Sequence, residues 1–288
     1  MPAPRPPNEF LAPAARQSSA GRNAAGPGGR RRAAEAADPS FATTLAHGLD
    51  LLAVFQAGEG ALSNGTLALR TGLSRPTVSR LTRTLAELGY LRRDPTGRFR
   101  IGTSTLAMAY PLLAGLKIRQ LARPMMRDFA ADAGGAVSIA MPFGLNFIYV
   151  ETVRMTEAAP HTPDVGFASA LAPTAVGRAL LSLYTEAEFA AYEAAMAAAD
   201  PEPWPDLRPK LRASIQACRE QGYSLSLGEW RPEIYGVAAA LYRTAEGDCL
   251  AVNCGIPSFR CSPEQVEREF GPRMLGLARS MRALMPPA

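Results

Sequence analysis

The stretch from Thr71 to Gly89 carries a pattern that few local structures satisfy. Gly72-Leu73-Ser74 has the composition of a tight turn, and Ser74 is a suitable helix N-cap. Pro76 follows in the first helical turn, where the missing N–H costs nothing. Val78, Leu81, Leu85 and Leu88 then recur at helical spacing and make one apolar stripe. At about 100° per residue, Arg75, Ser79, Arg80 and Arg83 fall on the opposite side. The spacing predicts a helix from Arg75 to about Leu88, stopped by Gly89. Upstream, Leu45, Leu49, Leu52 and Phe55 predict a helix whose N-cap is Ser40, and Thr66–Thr71 is a second, short helix. Downstream, two short strands, Tyr90–Arg93 and Arg98–Ile101, flank the turn Asp94-Pro95-Thr96-Gly97. Helix, helix, turn, helix and hairpin over residues 39–102 describe a winged helix-turn-helix.

Such a helix fits the major groove of B-DNA. A guanidinium can bond guanine O6 and N7 together, and hydroxyls bond phosphates or base edges. Ser74, Arg75, Thr77, Ser79, Arg80 and Arg83 are the DNA-binding candidates on the helix, with Arg98 on the wing beside Arg92, Arg93 and Arg100. The competing account is a merely solvated charged face. Charge distribution favours the first. The net charge of the chain is +5. Residues 39–105 hold eight Arg and no Lys against four acidic residues, whereas residues 106–288 are slightly acidic. A basic unit ahead of an acidic one points to a polyanionic partner at the basic end.

Residues 1–38 are dominated by Ala, Pro, Gly and Arg and read as a disordered tail, with Arg30-Arg31-Arg32 available for non-specific phosphate attraction. Residues 103–133 read as connecting helices that Pro111 should kink or break. Beyond them strands and helices alternate. Strands are expected at Ala136–Met141, Leu145–Thr152, Tyr223–Leu227, Val237–Arg243 and Cys249–Gly255. Helices are expected from Thr174 to Tyr184, after a Thr185/Glu188 capping box, from Asp206 to Gln221, and after Ser262. This is an α/β (α+β) layout, an antiparallel sheet with helices packed on it.

Several classes of function lack support. No apolar run is long enough for a membrane span, and no signal-peptide core precedes the first helix, so a cytoplasmic protein is expected. Cys218, Cys249, Cys254 and Cys261 form no C-x-x-C pair, and His47 and His161 stand alone. No metal cluster, cofactor motif or catalytic residue is identified. An enzyme would have to use Cys254 as nucleophile and Glu229 as base. A constitutive architectural DNA binder that senses nothing is the third alternative.

The sequence resembles the IclR family of bacterial transcriptional regulators over about residues 40–285. The resemblance lies in Leu69-Arg70-Thr71-Gly72-Leu73-Ser74-Arg75-Pro76-Thr77-Val78-Ser79-Arg80-Leu81, in Thr84-Leu85-Ala86-Glu87-Leu88-Gly89-Tyr90-Leu91 and in Asp94–Gly102. It continues in Leu121-Ala122-Arg123-Pro124, in Thr174–Leu181, in Gly222-Tyr223 and in Gly255-Ile256-Pro257. The resemblance implies a linker helix (103–120) and a GAF-like effector-binding domain (121–288). It implies a double-stranded DNA operator, a small-molecule effector of organic or aromatic acid type, and a homodimer or homotetramer. By the same resemblance the effector would lie between Thr174, Ala175, Val176 and Gly177, whose backbone N–H groups could seat a carboxylate, and Ser226, Gly236 and Asn253 on facing strands. Ser226, Gly236 and Ala172 replace the acidic residue, Cys and His of the best-known organic-acid binders, which leaves room for a larger or more apolar ligand.

Overall fold

The computed structural model describes residues 40–154 and 163–285. The tail, Arg30–Arg32 and His161 lie outside the described residues. The chain divides between Leu116 and Lys117 into two units.

The first unit is built from α1 (Thr43–Ala53), α2 (Asn64–Thr71), α3 (Arg75–Glu87), β1 (Leu91–Arg93), β2 (Phe99–Ile101) and α4 (Ser104–Gly115). Its core is Leu51, Leu62, Leu67, Val78, Leu81, Leu91 and Phe99. Two details of α1 differ from expectation. Ala42, not Ser40, is the N-cap, and it makes no side-chain cap. The buried line runs through Gly48 and Leu51, with Leu52 and Phe55 packed beside it, while Leu45 and Leu49 are 64% and 51% exposed. At 100° per residue the latter two sit about 90–130° from the centre of that line. Ser63 accepts from the Thr66 N–H at 3.1 Å and so starts α2 at Asn64, two residues before the expected Thr66. On α3, Val78 and Leu81 are buried and Leu85 packs against the core, but Leu88 is exposed because the helix ends there. β1 and β2 pair antiparallel, and Phe99 also exchanges two backbone hydrogen bonds with Leu62. Pro111 does not break α4, which runs through it to Gly115. Proline removes one N–H, and the carbonyl it leaves unused belongs to exposed Ala107, where water can satisfy it.

The second unit opens with α5 (Ile118–Ala133), followed by β3 (Ala136–Phe143), β4 (Asn146–Arg154), β5 (Ala168–Ala170), α6 (Ala175–Leu181), α7 (Glu186–Ala199), α8 (Trp204–Gln221), β6 (Ser224–Arg231), β7 (Ile234–Arg243) and β8 (Cys249–Pro257). A short turn, α9 (Pro263–Gln265), capped by Ser262, leads through a π-helical stretch, Val266–Phe270, into α10 (Gly271–Ala283). The six strands form one antiparallel sheet in the order β5-β4-β3-β8-β7-β6. The fold is the expected mixture of helix and antiparallel sheet, with β5 an edge strand that its three residues did not announce. Alternation of side chains gives the sheet two unlike faces. One face carries Ala140, Phe147, Tyr149, Ala238 and Ala251, buried against α6, α7 and α8. The other face meets α5: a bulge in β4 at Val150 turns Glu151 away from Tyr149, and its buried carboxylate pairs with Arg119 at 3.3 Å across that interface. The π-helical stretch that leads into α10 lies beside α5, with Phe129 and Phe270 rings 6.2 Å apart.

Candidate nucleic-acid interface and effector site

α3 is positioned by its caps and its buried stripe. Ser74 accepts from the Thr77 N–H at 3.4 Å, and the Ser74 and Thr77 hydroxyls share a 2.8 Å hydrogen bond. These two expected DNA-contacting hydroxyls therefore also hold the helix start in shape. Arg75, Ser79, Arg80 and Arg83 are all exposed, as the periodicity predicted. Arg83 pairs with Glu87 at 3.0 Å, but both side chains are largely solvated, and such a pair is worth little. Thr82, on the inner side, donates to the Val78 carbonyl at 2.9 Å.

The wing turn is ordered by one carboxylate. Asp94 accepts from the Thr96 hydroxyl at 2.7 Å, the Thr96 N–H at 2.9 Å and the Arg98 N–H at 3.0 Å. Those bonds, the Thr96 hydroxyl first, hold its pKa below the ordinary carboxylate value. Arg92, Arg93, Arg98 and Arg100 are exposed around it. The sequence did not single out Arg70 for structure, yet its guanidinium donates to the Val54 carbonyl at 3.1 Å and pairs with Glu59, joining the end of α1 to α2.

In the second unit the seven effector candidates separate into two groups. Thr174 to Gly177 lie against Ser226 and Gly236. Thr174 Oγ1 accepts from the Gly177 N–H at 3.1 Å, and the Ser226 hydroxyl donates to the Pro173 carbonyl at 2.9 Å. The expected free N–H seat is therefore narrower than the sequence implied, since Thr174 already satisfies one of its donors. Gly236 does not open space either: a Cβ there would stand 3.3 Å from Ala175 Cβ, so the missing side chain lets α6 close on β7. Gly177 is tighter still, because a Cβ would fall 1.9 Å from the Leu171 carbonyl oxygen.

Asn253 stands one row further along the same sheet face, paired in register with Ser138 and Ala238. It is 6% exposed; its Nδ2 donates to the Tyr149 hydroxyl at 3.1 Å, and its Oδ1 is buried without a partner. Burial pushes the Tyr149 phenol well above its ordinary value, so it stays protonated.

Sequence reasoning missed two further residues of this domain. Arg178 is nearly buried; it donates to the Leu225 carbonyl and pairs with Glu229. Burial pulls its pKa down, but a guanidinium starts so high that it remains charged. From the β6–β7 hairpin, Trp230 Nε1 donates to Ser169 Oγ at 3.0 Å, joining the β6 edge of the sheet to the β5 edge. The Trp230 ring meets Phe167 edge-on at 6.1 Å, and Phe167 lies 5.7 Å from Tyr149. Only the aromatic residue types could have hinted at this.

The enzyme alternative finds no assembled site among the described residues. Cys254 is buried, with its thiol pushed well above the ordinary range by desolvation. β7 separates its strand from that of Glu229, which is occupied by Arg178. Among the described residues no group of three His, Cys, Asp or Glu is placed to hold a metal ion, and no helix is long and apolar enough to cross a membrane.

Comparison with known proteins accounts for both halves. Residues 44–95 match the model of the IclR helix-turn-helix domain, and residues 111–282 that of the bacterial transcriptional regulator IclR C-terminal domain. A helix-turn-helix DNA-binding unit and a C-terminal ligand-binding unit make a transcriptional regulator. More particularly, the chain belongs to the IclR family. It is 27% identical over 251 residues to the HTH-type transcriptional regulator TsaQ1/TsaQ2 of Comamonas testosteroni, covering 85% of this chain and 90% of that one. A crystal structure of an IclR family transcriptional regulator from Brucella abortus is 36% identical, with a TM-score of 0.76 over 86% of this chain and 94% of that one. An IclR homologue from Microbacterium hydrocarbonoxydans, solved with 4-hydroxybenzoate, shares the fold at 18% identity, with a TM-score of 0.65 over 84% of this chain and all of that one.

Proposed function

We propose that the chain is a ligand-controlled transcription factor whose operator affinity is set by a small organic or aromatic acid. The observation that carries the DNA half is the exposed Arg75–Arg80–Arg83 face of α3, held on its buried stripe next to a basic wing. In this reading Arg75 and Arg80 meet base edges, while Ser74, Thr77, Ser79, Arg83 and Arg98 meet phosphates or neighbouring bases. Residues 39–102 form the DNA-binding domain, 103–120 the linker and 121–288 the effector-binding domain, with 1–38 an appended tail. The effector lies on the sheet face bounded by Thr174, Ala175, Val176, Gly177, Ser226, Gly236 and Asn253. The bound ligand of the Microbacterium homologue supports an aromatic acid as one such effector.

The regulator acts as a homodimer or homotetramer in the cytoplasm. Supporting this, none of α4 is buried, although Leu106, Met108, Tyr110 and Leu112 on it are large and apolar. Exposed apolar surface on that scale is a mark of an interface. A dimer also presents two recognition helices, whose spacing must match the operator's half-sites.

The test is selection of operator fragments from genomic DNA by the purified full chain, followed by affinity titration with and without candidate acids. Enrichment of a two-fold-related sequence, with affinity shifted by an acid, is the expected result. Failure to enrich any sequence would overturn the DNA half. Enrichment with no response to any acid would overturn the effector half.

A further inference from the structure

The site face of the sheet has a floor and a wall of very different sizes. Across its middle, one row carries Ser224, Ala238, Asn253, Ser138 and Thr152, and the next carries Ser226, Gly236, Gly255, Ala136 and Arg154. Apart from Asn253, Thr152 and Arg154, whose guanidinium pairs with Asp164 at 2.8 Å, nothing in these rows is longer than a serine. Tyr149, Phe167 and Trp230 stand along one side as a chain of rings. Trp230 comes from the hairpin at one edge of the sheet and bonds Ser169 at the other, so it crosses this face like a strap. One face of its ring carries the Arg231 guanidinium, 4.5 Å from the ring centroid.

Two polar atoms among the residues of this site have no partner, Arg178 Nε and Asn253 Oδ1. Asn253 Oδ1 is buried without a partner, while the other amide atom is held by Tyr149. A buried unsatisfied carbonyl is costly, and a native site tolerates it where a ligand completes it. A hydroxyl suits the position, because it donates and accepts and so matches either orientation of the amide. Charge is less well provided for: both terminal nitrogens of Arg178 are already engaged by Glu229 and the Leu225 carbonyl, which leaves only its buried Nε–H unmatched.

We propose that Asn253 reads a phenolic hydroxyl on a single-ring aromatic ligand, and that Trp230 closes over the ring as the specificity-determining strap. This rests on the reading of that face as the effector site, and it narrows the effector to hydroxylated aromatics. Phenol and 4-hydroxybenzoate share that chemistry, and the probes below separate them by their carboxylate.

The chain has two tryptophans, so Trp204→Phe leaves Trp230 as the sole indole reporter. Titration of that variant with phenol, 4-hydroxybenzoate, benzoate and pyruvate is the test, and calorimetry on the unaltered chain gives the same affinities should the buried Trp204 prove essential for folding. A phenolic probe should shift Trp230 emission saturably. Benzoate should bind about tenfold or more weakly than 4-hydroxybenzoate, because an unmet buried acceptor penalises the analogue that lacks the hydroxyl. Asn253→Leu should erase that preference while the melting temperature of the ligand-free chain stays within a few degrees. Equal affinity for benzoate and 4-hydroxybenzoate, an unchanged preference in Asn253→Leu, or no saturable phenolic binding would each overturn the proposal. Operator titrations separate it from the broader reading. If pyruvate shifts operator affinity and the phenolic probes do not bind, the ligand class fails and the effector reading stands. If the phenolic probes bind as described without altering operator affinity, the ligand class stands and the effector reading fails.

Discussion

On α3 the functional side chains stand outside the packing. Arg75 and Arg80 are exposed, and neither forms an ion pair among the described residues. In the second unit the corresponding groups are inside it. Thr174 and Ser226 are buried and spent on neighbours, Arg178 is paired except at Nε, and Asn253 keeps one unmatched atom. The difference follows from the partners. A duplex is large, and its phosphates attract solvated cations at a distance, so arginines need only be presented. A small ligand must be surrounded, so its site has to be built from groups already desolvated and matched. Substitution should therefore damage binding in the first unit and folding in the second.

Gly177→Ala should show this most strongly. The added Cβ meets a backbone carbonyl at 1.9 Å, which cannot move like a side chain. Loss of about 3 kcal/mol or more in urea unfolding is expected, the upper range for forcing atoms into a packed region. Stability within 0.5 kcal/mol of the parent, on the order of an ordinary surface change, would show that α6 is not held against Leu171 as described.

Glu193→Gln tests the pairing of a buried carboxylate with two half-exposed arginines. Glu193 accepts from Arg212 at 2.7 Å and Arg208 at 3.0 Å, and these bonds, Arg212 first, hold its pKa down to about 2 from an ordinary value of 4.5. A depressed carboxylate stabilises the fold above its unfolded pKa, and that contribution is lost as pH falls. The variant should lose about 1–3 kcal/mol at pH 7. The gap in melting temperature should close between pH 4.5 and pH 2. A gap constant with pH would mean the charge is irrelevant.

Changes in the first unit should be milder in folding and legible in binding. Arg98→Ala should lower the slope of log affinity against log salt by about one phosphate contact, for all sequences alike. A change confined to one operator position would instead make Arg98 a base reader. Glu87→Gln should be the smallest, with stability altered by about 0.5 kcal/mol or less because both partners of the Arg83–Glu87 pair are solvated. A larger loss would place Glu87 in the packing of α3.

The same contrast explains how much could be read from the sequence. The recognition helix, its cap and its exposed face follow from spacing within fifteen residues or so, as do the wing turn and the Thr185/Glu188 capping box, which the structure contains. Errors were local where rotation or start position mattered, as with Leu45, Leu49 and Ser40, since periodicity defines a stripe but not which of its flanks is covered. The second site depends on partners far apart in the chain. Trp230 finds Ser169 61 residues away, Arg178 finds Glu229 at 51, and Asn253 finds Tyr149 at 104. No local pattern encodes such pairings; they exist only once the sheet order β5-β4-β3-β8-β7-β6 brings the strands together. Pro111 shows the converse, a strong local breaker that a solvated helix accommodates.

The central claim is that α3 reads DNA through an arginine face that plays no part in folding. A gel-shift titration of Arg80→Ala against the selected operator and a scrambled duplex, with the melting temperature measured alongside, tests it most directly. Loss of a bidentate base contact removes about 1–3 kcal/mol of discrimination. The preference for the operator should therefore fall by about tenfold or more, with melting temperature and oligomeric state unchanged. An operator affinity equal to that of the parent chain would contradict the account.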